Sequence, residues 1–92
     1  MNTQKLIEAI CRDYSISEDE FNSNFKYGSL PEARQLYCMV LKSAGKKNGE
    51  IAEITGFSPP RVTITIQAGE KLSGKVPYFR QKYEALVKMF VK

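Results

Sequence analysis

The side chains with the widest chemical reach fall in one stretch, Asn48 to Leu72, NGEIAEITGFSPPRVTITIQAGEKL. Folded as a helix after the glycine, its second half turns Ser58, Arg61, Thr63, Ile64 and Gln67 to one outward face. Thr and Gln can hydrogen-bond base edges, Ile can contact a thymine methyl, and Arg can bond guanine or phosphate. The chemistry this set suits is readout of the DNA major groove. Lys46 and Lys47 stand just before the stretch, placed to meet the sugar–phosphate backbone. Lys26 and Arg34 are expected at the same backbone.

Other chemistries find little to work with. The chain has no histidine, so the usual bases left are Asp, Glu and Lys. Glu18, Asp19 and Glu20 cluster, but at a predicted helix start, where negative charge complements the helix dipole. Cys11 and Cys38 stand far apart, with no CxxC spacing, which argues against a zinc site or a disulfide scaffold. They read as small buried hydrophobes in a reducing compartment. No GxxxxGK[ST] loop occurs, and Gly45, Gly49 and Gly56 look like helix punctuation. The expectation is a protein that is not an enzyme, with no cofactor, no metal and no small-molecule substrate.

A groove-reading helix needs a frame that holds it proud of the surface. Two helices joined steeply by a three- or four-residue turn provide one. The first needs a small residue where the backbones approach, and Ala52 supplies it. The turn needs a residue tolerant of positive φ, and Gly56 lies four positions on. Phe57 then points back to the core, and Val62 and Ile66, four apart, face inward. Pro60 disfavours the helical region for the residue before it, so the recognition helix is predicted to begin at Pro60 or Arg61 and to run to about residue 72. Ser58 and Pro59 are assigned to the turn. Residues 61–67, RVTITIQ, also have strand composition, but no partner strand is evident and the flanks are helical.

Around this unit the chain reads as an all-α, single domain of about six helices, covering residues 1–92. Leu6, Ile7, Ile10 and Tyr14 recur at helical spacing. Ser17-x-x-Glu20 is a capping-box pattern opening a short acidic helix that buries Phe21 and Phe25. Ser29-x-x-Glu32, with Pro31 between, opens a third helix through Ala33, Leu36, Tyr37, Val40 and Leu41, ending near Ala44-Gly45. Its wide apolar stripe makes it central. Asn48 caps the fourth helix. Ser73-Gly74 signals a turn before Pro77 opens the last helix, where Phe79, Tyr83, Leu86, Val87 and Phe90 share a face. Tyr27 and Tyr78 are expected at the surface.

Charge divides the chain unevenly. Residues 1–25 carry two basic and five acidic side chains, net −3, and residues 26–92 carry twelve and five, net +7. One surface therefore suits a polyanion and another does not. No apolar run approaches the roughly 20 residues of a membrane span. Charged residues interrupt Met1 to Tyr14, unlike the apolar core of a secretory signal. A cytoplasmic protein without membrane contact is expected.

With these blocks in view, the chain resembles the C-terminal DNA-binding domains of bacterial replication initiators of the DnaA type, among the Trp-repressor-like helix-turn-helix folds. The likeness runs from about Leu6 to Phe90. The A-R-Q opening of the family's long helix is Ala33-Arg34-Gln35, followed by Leu36 and Tyr37. The E-I-G and F-G blocks appear as Glu50-Ile51-Ala52 and Gly56-Phe57. The signature helix G-R-D-H-T-T-V-L-H-A falls on Pro59 to Ala68, where Thr63 and Ala68 match. The family's Arg, Asp and His fall on Pro60, Arg61 and Val62. Its basic loop falls near Asn24 to Leu30, where Lys26 is the one cation. The resemblance implies the fold and contact with double-stranded DNA, in replication or transcription, without an ATPase. The rival reading is a protein-interaction module using the same surface, favoured by the outward Ile64, the sparsely basic loop and the Pro59-Pro60 pair.

Overall fold

Capping chemistry and apolar spacing account for most helix boundaries in the computed structural model, which describes residues 1–91. Six helices follow one another: α1 (Thr3–Tyr14), α2 (Glu18–Asn22), α3 (Leu30–Ser43), α4 (Asn48–Thr55), α5 (Pro59–Lys75) and α6 (Pro77–Phe90). No strand occurs among the described residues, and residues 61–67 lie inside α5. The fold is all-α, as the periodicity predicts.

Local signals set the starts and stops. Asn2 Oδ1 accepts the Lys5 N–H at 3.1 Å and caps α1. Ser15 ends that helix in the left-handed region, and the Ile16 N–H closes on the Cys11 carbonyl. Ser17 and Glu20 form the full capping box, each accepting the other's backbone N–H at 3.0 Å. The end of α3 repeats the device of α1 with Gly45 at φ 89° and the Lys46 N–H on the Leu41 carbonyl.

Four local expectations need correction. Ser29 precedes α3 but makes no capping bond, because its backbone (φ −88°, ψ 1°) is not extended as a cap requires. Asn48 is the first residue of α4 rather than its cap. Lys47 holds the cap position, and its N–H donates to Glu50 Oε1 at 2.9 Å. The helix α5 begins at Pro59, one residue before the predicted start, with Ser58 extended before it. Pro59's own ring-fixed φ suits a first helical turn, and this outweighs its clash with the next ring. Nor does Gly74 end α5. The helix runs to Lys75 and stops where Pro77 forces Val76 into extended backbone, φ −119° and ψ 99°.

The core forms around α3. Seven consecutive residues on it, Leu36 to Lys42, include six that are buried, and α3 packs against all five other helices. Leu6 and Ile10 of α1, Ile51 of α4, Val62 and Ile66 of α5, and Phe79 and Leu86 of α6 close on it. Tyr83, Val87 and Phe90 pack against this cluster half-buried. At Gly69 of α5 there is no room for a side chain against α3, since a Cβ would lie 2.5 Å from Met39 Sδ. Cys11 and Cys38 are buried and free. Burial pushes the Cys38 thiol up to about 12. No helix is long and apolar enough to cross a membrane among the described residues.

Candidate nucleic-acid interface

The turn between α4 and α5 is three residues, Gly56-Phe57-Ser58. Gly56 takes φ 78°, which a side chain would resist, and its N–H bonds the Ala52 carbonyl at 2.8 Å. Phe57 packs half-buried against the core, as does Ala52. Ser58 Oγ caps α5 by accepting the Arg61 N–H at 3.4 Å. Pro59 and Pro60 have no N–H, and the Val62 N–H goes to the Ser58 carbonyl. The first turn of α5 therefore keeps no free amide for an anion, unlike most helix starts. Side chains must carry any anion contact here.

With Val62 and Ile66 turned inward, α5 leaves Thr63, Ile64 and Gln67 exposed, with Ile64 at 65%. Thr63 is tied back rather than free. Its hydroxyl donates to the Pro59 carbonyl at 3.4 Å and accepts from Asn48 Nδ2 at 3.1 Å. Asn48 Oδ1 in turn accepts from Lys42 Nζ at 3.0 Å. This relay joins α3, α4 and α5 and fixes the start of α4 against the outer face of α5. The sequence reading used Asn48 only as a cap and did not single out Lys42, because the two pairings span six and fifteen residues and join different helices. Lys47 is exposed and Lys46 half-buried in the connection just before this relay.

Arg61 lies half-buried with its guanidinium 3.8 Å from the centre of the Phe57 ring. It shares a surface cleft of about 140 Å³ with Lys26, Arg34, Gln35, Phe57 and Thr65. Three of the cations predicted from sequence meet there, Lys46 and Lys47 do not line this cleft, and Arg34 is not placed as expected. It is 3% exposed and donates to the carbonyls of Glu20 (3.2 Å), Phe21 (3.1 Å), Ser23 (2.7 Å) and Phe25. Burial, and then repulsion from Arg61, pushes its pKa down. Arg34 is thus a structural tie for the loop after α2, not the surface cation that the sequence reading expected. Its guanidinium has five donors in a planar fork, and backbone carbonyls take four of them.

That tie also corrects Phe25. With its carbonyl drawn in toward Arg34, the ring turns outward and is 56% exposed instead of buried. Tyr27 is exposed as expected, and its hydroxyl donates to Glu20 Oε2 at 3.1 Å; the Ser17 backbone N–H first, and then this hydroxyl, lower the pKa of Glu20. Among the described residues one ion pair forms, Arg80 with Glu84 on α6. Lys26, Lys46, Lys47 and Arg61 therefore have no carboxylate within 4.0 Å. Comparison of the chain with protein-family models, curated proteins and solved structures finds no match.

Proposed function

We propose that α4 and α5 act as a helix-turn-helix that seats the outer face of α5 in the major groove of double-stranded DNA. Ile64 and Gln67 meet base edges there, with Thr63 held in place by Asn48. Lys46, Lys47 and Lys26 bond phosphates, and Arg61 reaches a phosphate or guanine. Ser58 serves the interface as a cap. The observation that carries this reading is the set of unpaired cations around an exposed helix face that follows a three-residue turn. The likeness in sequence to initiator C-terminal domains points the same way. The function is then DNA binding in transcription or replication, with no ATPase of its own.

Binding to mixed-sequence duplex across a salt series tests this. Neutralised phosphates release counterions, so affinity should fall steeply and linearly on logarithmic axes. Absent or salt-independent binding overturns the reading. The 65% exposed Ile64 at the middle of the face favours a second reading, a protein-docking module. A selection from random duplexes separates the two, since an enriched motif requires base readout.

A further inference from the structure

The loop between α2 and α3 presents, on either side of Lys26, two aromatic rings that the recognition-helix reading does not use. Phe25 and Tyr27 stand with ring centroids 5.5 Å apart and planes tilted by 44°. Both are more than half exposed. Two adjacent aromatic rings left in water form an apolar patch with a face to offer a partner. The loop holding them is rigidly tied. Arg34 bonds four carbonyls from Glu20 to Phe25, Ser23 Oγ accepts the Phe25 N–H at 3.2 Å, and Tyr27 is anchored to Glu20. Gly28, at φ 59°, then turns the chain into α3. The rings are displayed on a fixed frame.

Lys26 lies between the two aromatics in sequence and opens onto the same cleft as Arg61 at the start of α5. A duplex seated on α5 would run its backbone past this loop. We infer that Phe25 and Tyr27 form a stacking site for an unpaired or unstacked DNA base, with Lys26 on the adjoining phosphate. The preferred ligand is then a duplex with a single-stranded tail or an easily opened step beside the α5 site. Stacking on aromatic faces is strong and indifferent to base identity, and it needs only rings interleaved with cations. The inference rests on the duplex-binding reading and adds a ligand class to it.

The experiment titrates the whole chain with three DNAs sharing one duplex. The first is blunt, the second carries a short single-stranded tail, and the third carries a tail of the same length without bases. The tail with bases should bind roughly tenfold tighter than the tail without. Phe25→Ala and Phe25→Leu should erase that gain while leaving blunt-duplex affinity within about twofold, and Phe25→Trp should retain it. Phe25 contributes its carbonyl and amide to the loop rather than its ring, so these variants keep the fold, which circular dichroism checks. Tyr27→Phe keeps the ring, drops the bond to Glu20 and should keep the gain. Equal binding of the two tailed DNAs overturns the stacking site while the duplex reading stands. Failure to bind any of the three overturns both. A chain that sediments as a dimer, and that Phe25→Ala returns to monomer, assigns the rings to a second copy and overturns the stacking site.

Discussion

Two short connections border the outer face of α5, and they are held by different means. The loop before α3 hangs from one buried side chain, since Arg34 bonds the carbonyls of Glu20 and Phe21 at the end of α2 and of Ser23 and Phe25 in the loop itself. The turn before α5 is held by several small devices: a left-handed Gly56, the Ser58 cap, two prolines and the half-buried Phe57. Each device contributes about 1 kcal/mol. Stability concentrated in one residue is lost at one substitution, whereas stability spread over the backbone is not. The loop should therefore be separable from the fold by mutation and the turn should not. The two display opposite chemistry as well. The loop offers aromatic faces, and the turn offers a helix face edged by cations.

Arranged by their effect on stability, the tests of this contrast begin with the frame beneath both connections. Val62 is fully buried under the start of α5. Val62→Asp places a carboxylate there with no partner, at a cost of several kcal/mol, comparable to the whole stability of a small domain. The thermal transition should vanish. A retained transition would put residue 62 at the surface and reverse the two faces of α5.

Arg34→Met comes next and addresses the loop directly. Four carbonyls lose a charged donor, and the expected loss is about 3 kcal/mol. Amide exchange should accelerate through residues 20–28 first, with α4 and α5 keeping their protection. Equal acceleration in α4 and α5 would show that the loop and the turn open together, and the contrast would fail.

Sequence made the turn more legible than the loop, for a physical reason. Gly56, Ser58 and the Ser17–Glu20 box act within four residues, so spacing alone finds them. Arg34 acts on carbonyls nine to fourteen residues away. On its own helix it reads as one more cation beside Ala33 and Gln35, and only the fold shows that it is buried. Phe25 follows from the same cause, since its apolar side chain predicts burial and the tie to its carbonyl decides otherwise. The overrun of α5 past Gly74 is another case of competing signals. A glycine permits a stop, but the proline at 77 compels one.

The core can be probed apart from either connection. Burial pushes the Cys38 thiol from about 9 in an unfolded chain up to about 12. Between those values the unfolded chain binds fewer protons than the folded one, so stability falls as pH rises. One such group costs about 1 kcal/mol between pH 9 and pH 10. Urea midpoints at pH 8, 9 and 10 should show the decline, and Cys38→Ala should reduce it, leaving the part owed to Cys11, Tyr14 and Tyr37, whose pKa values burial also raises. An unchanged decline in the variant would assign it to other groups. A smaller effect on stability is expected from Lys46→Ala with Lys47→Ala, under about 0.5 kcal/mol because neither has an ion-pair partner. The salt slope for duplex binding should fall by about two. An unchanged slope would remove this connection from the interface.

A stability change just as small is expected of Arg61, and it tests the contrast at its centre. Its guanidinium stacks on Phe57, a contact worth about 0.5–1 kcal/mol at a partly exposed site. Against this, Arg61 sits in the first turn of α5, where the helix dipole opposes a cation by about 0.3–1 kcal/mol. It also faces the buried charge of Arg34, whose pKa it helps lower. These terms nearly cancel, so Arg61→Ala should change the melting free energy by less than about 0.5 kcal/mol. Duplex affinity should nonetheless fall by about tenfold, since a direct contact to guanine or phosphate is worth roughly 1–3 kcal/mol. Arg34 is the reverse case, a cation spent on the fold. Measuring melting and affinity on both variants sets the two arginines side by side. If Arg61→Ala melts early and still binds, its charge props Phe57 instead of meeting DNA, and the turn proves to depend on one side chain just as the loop does.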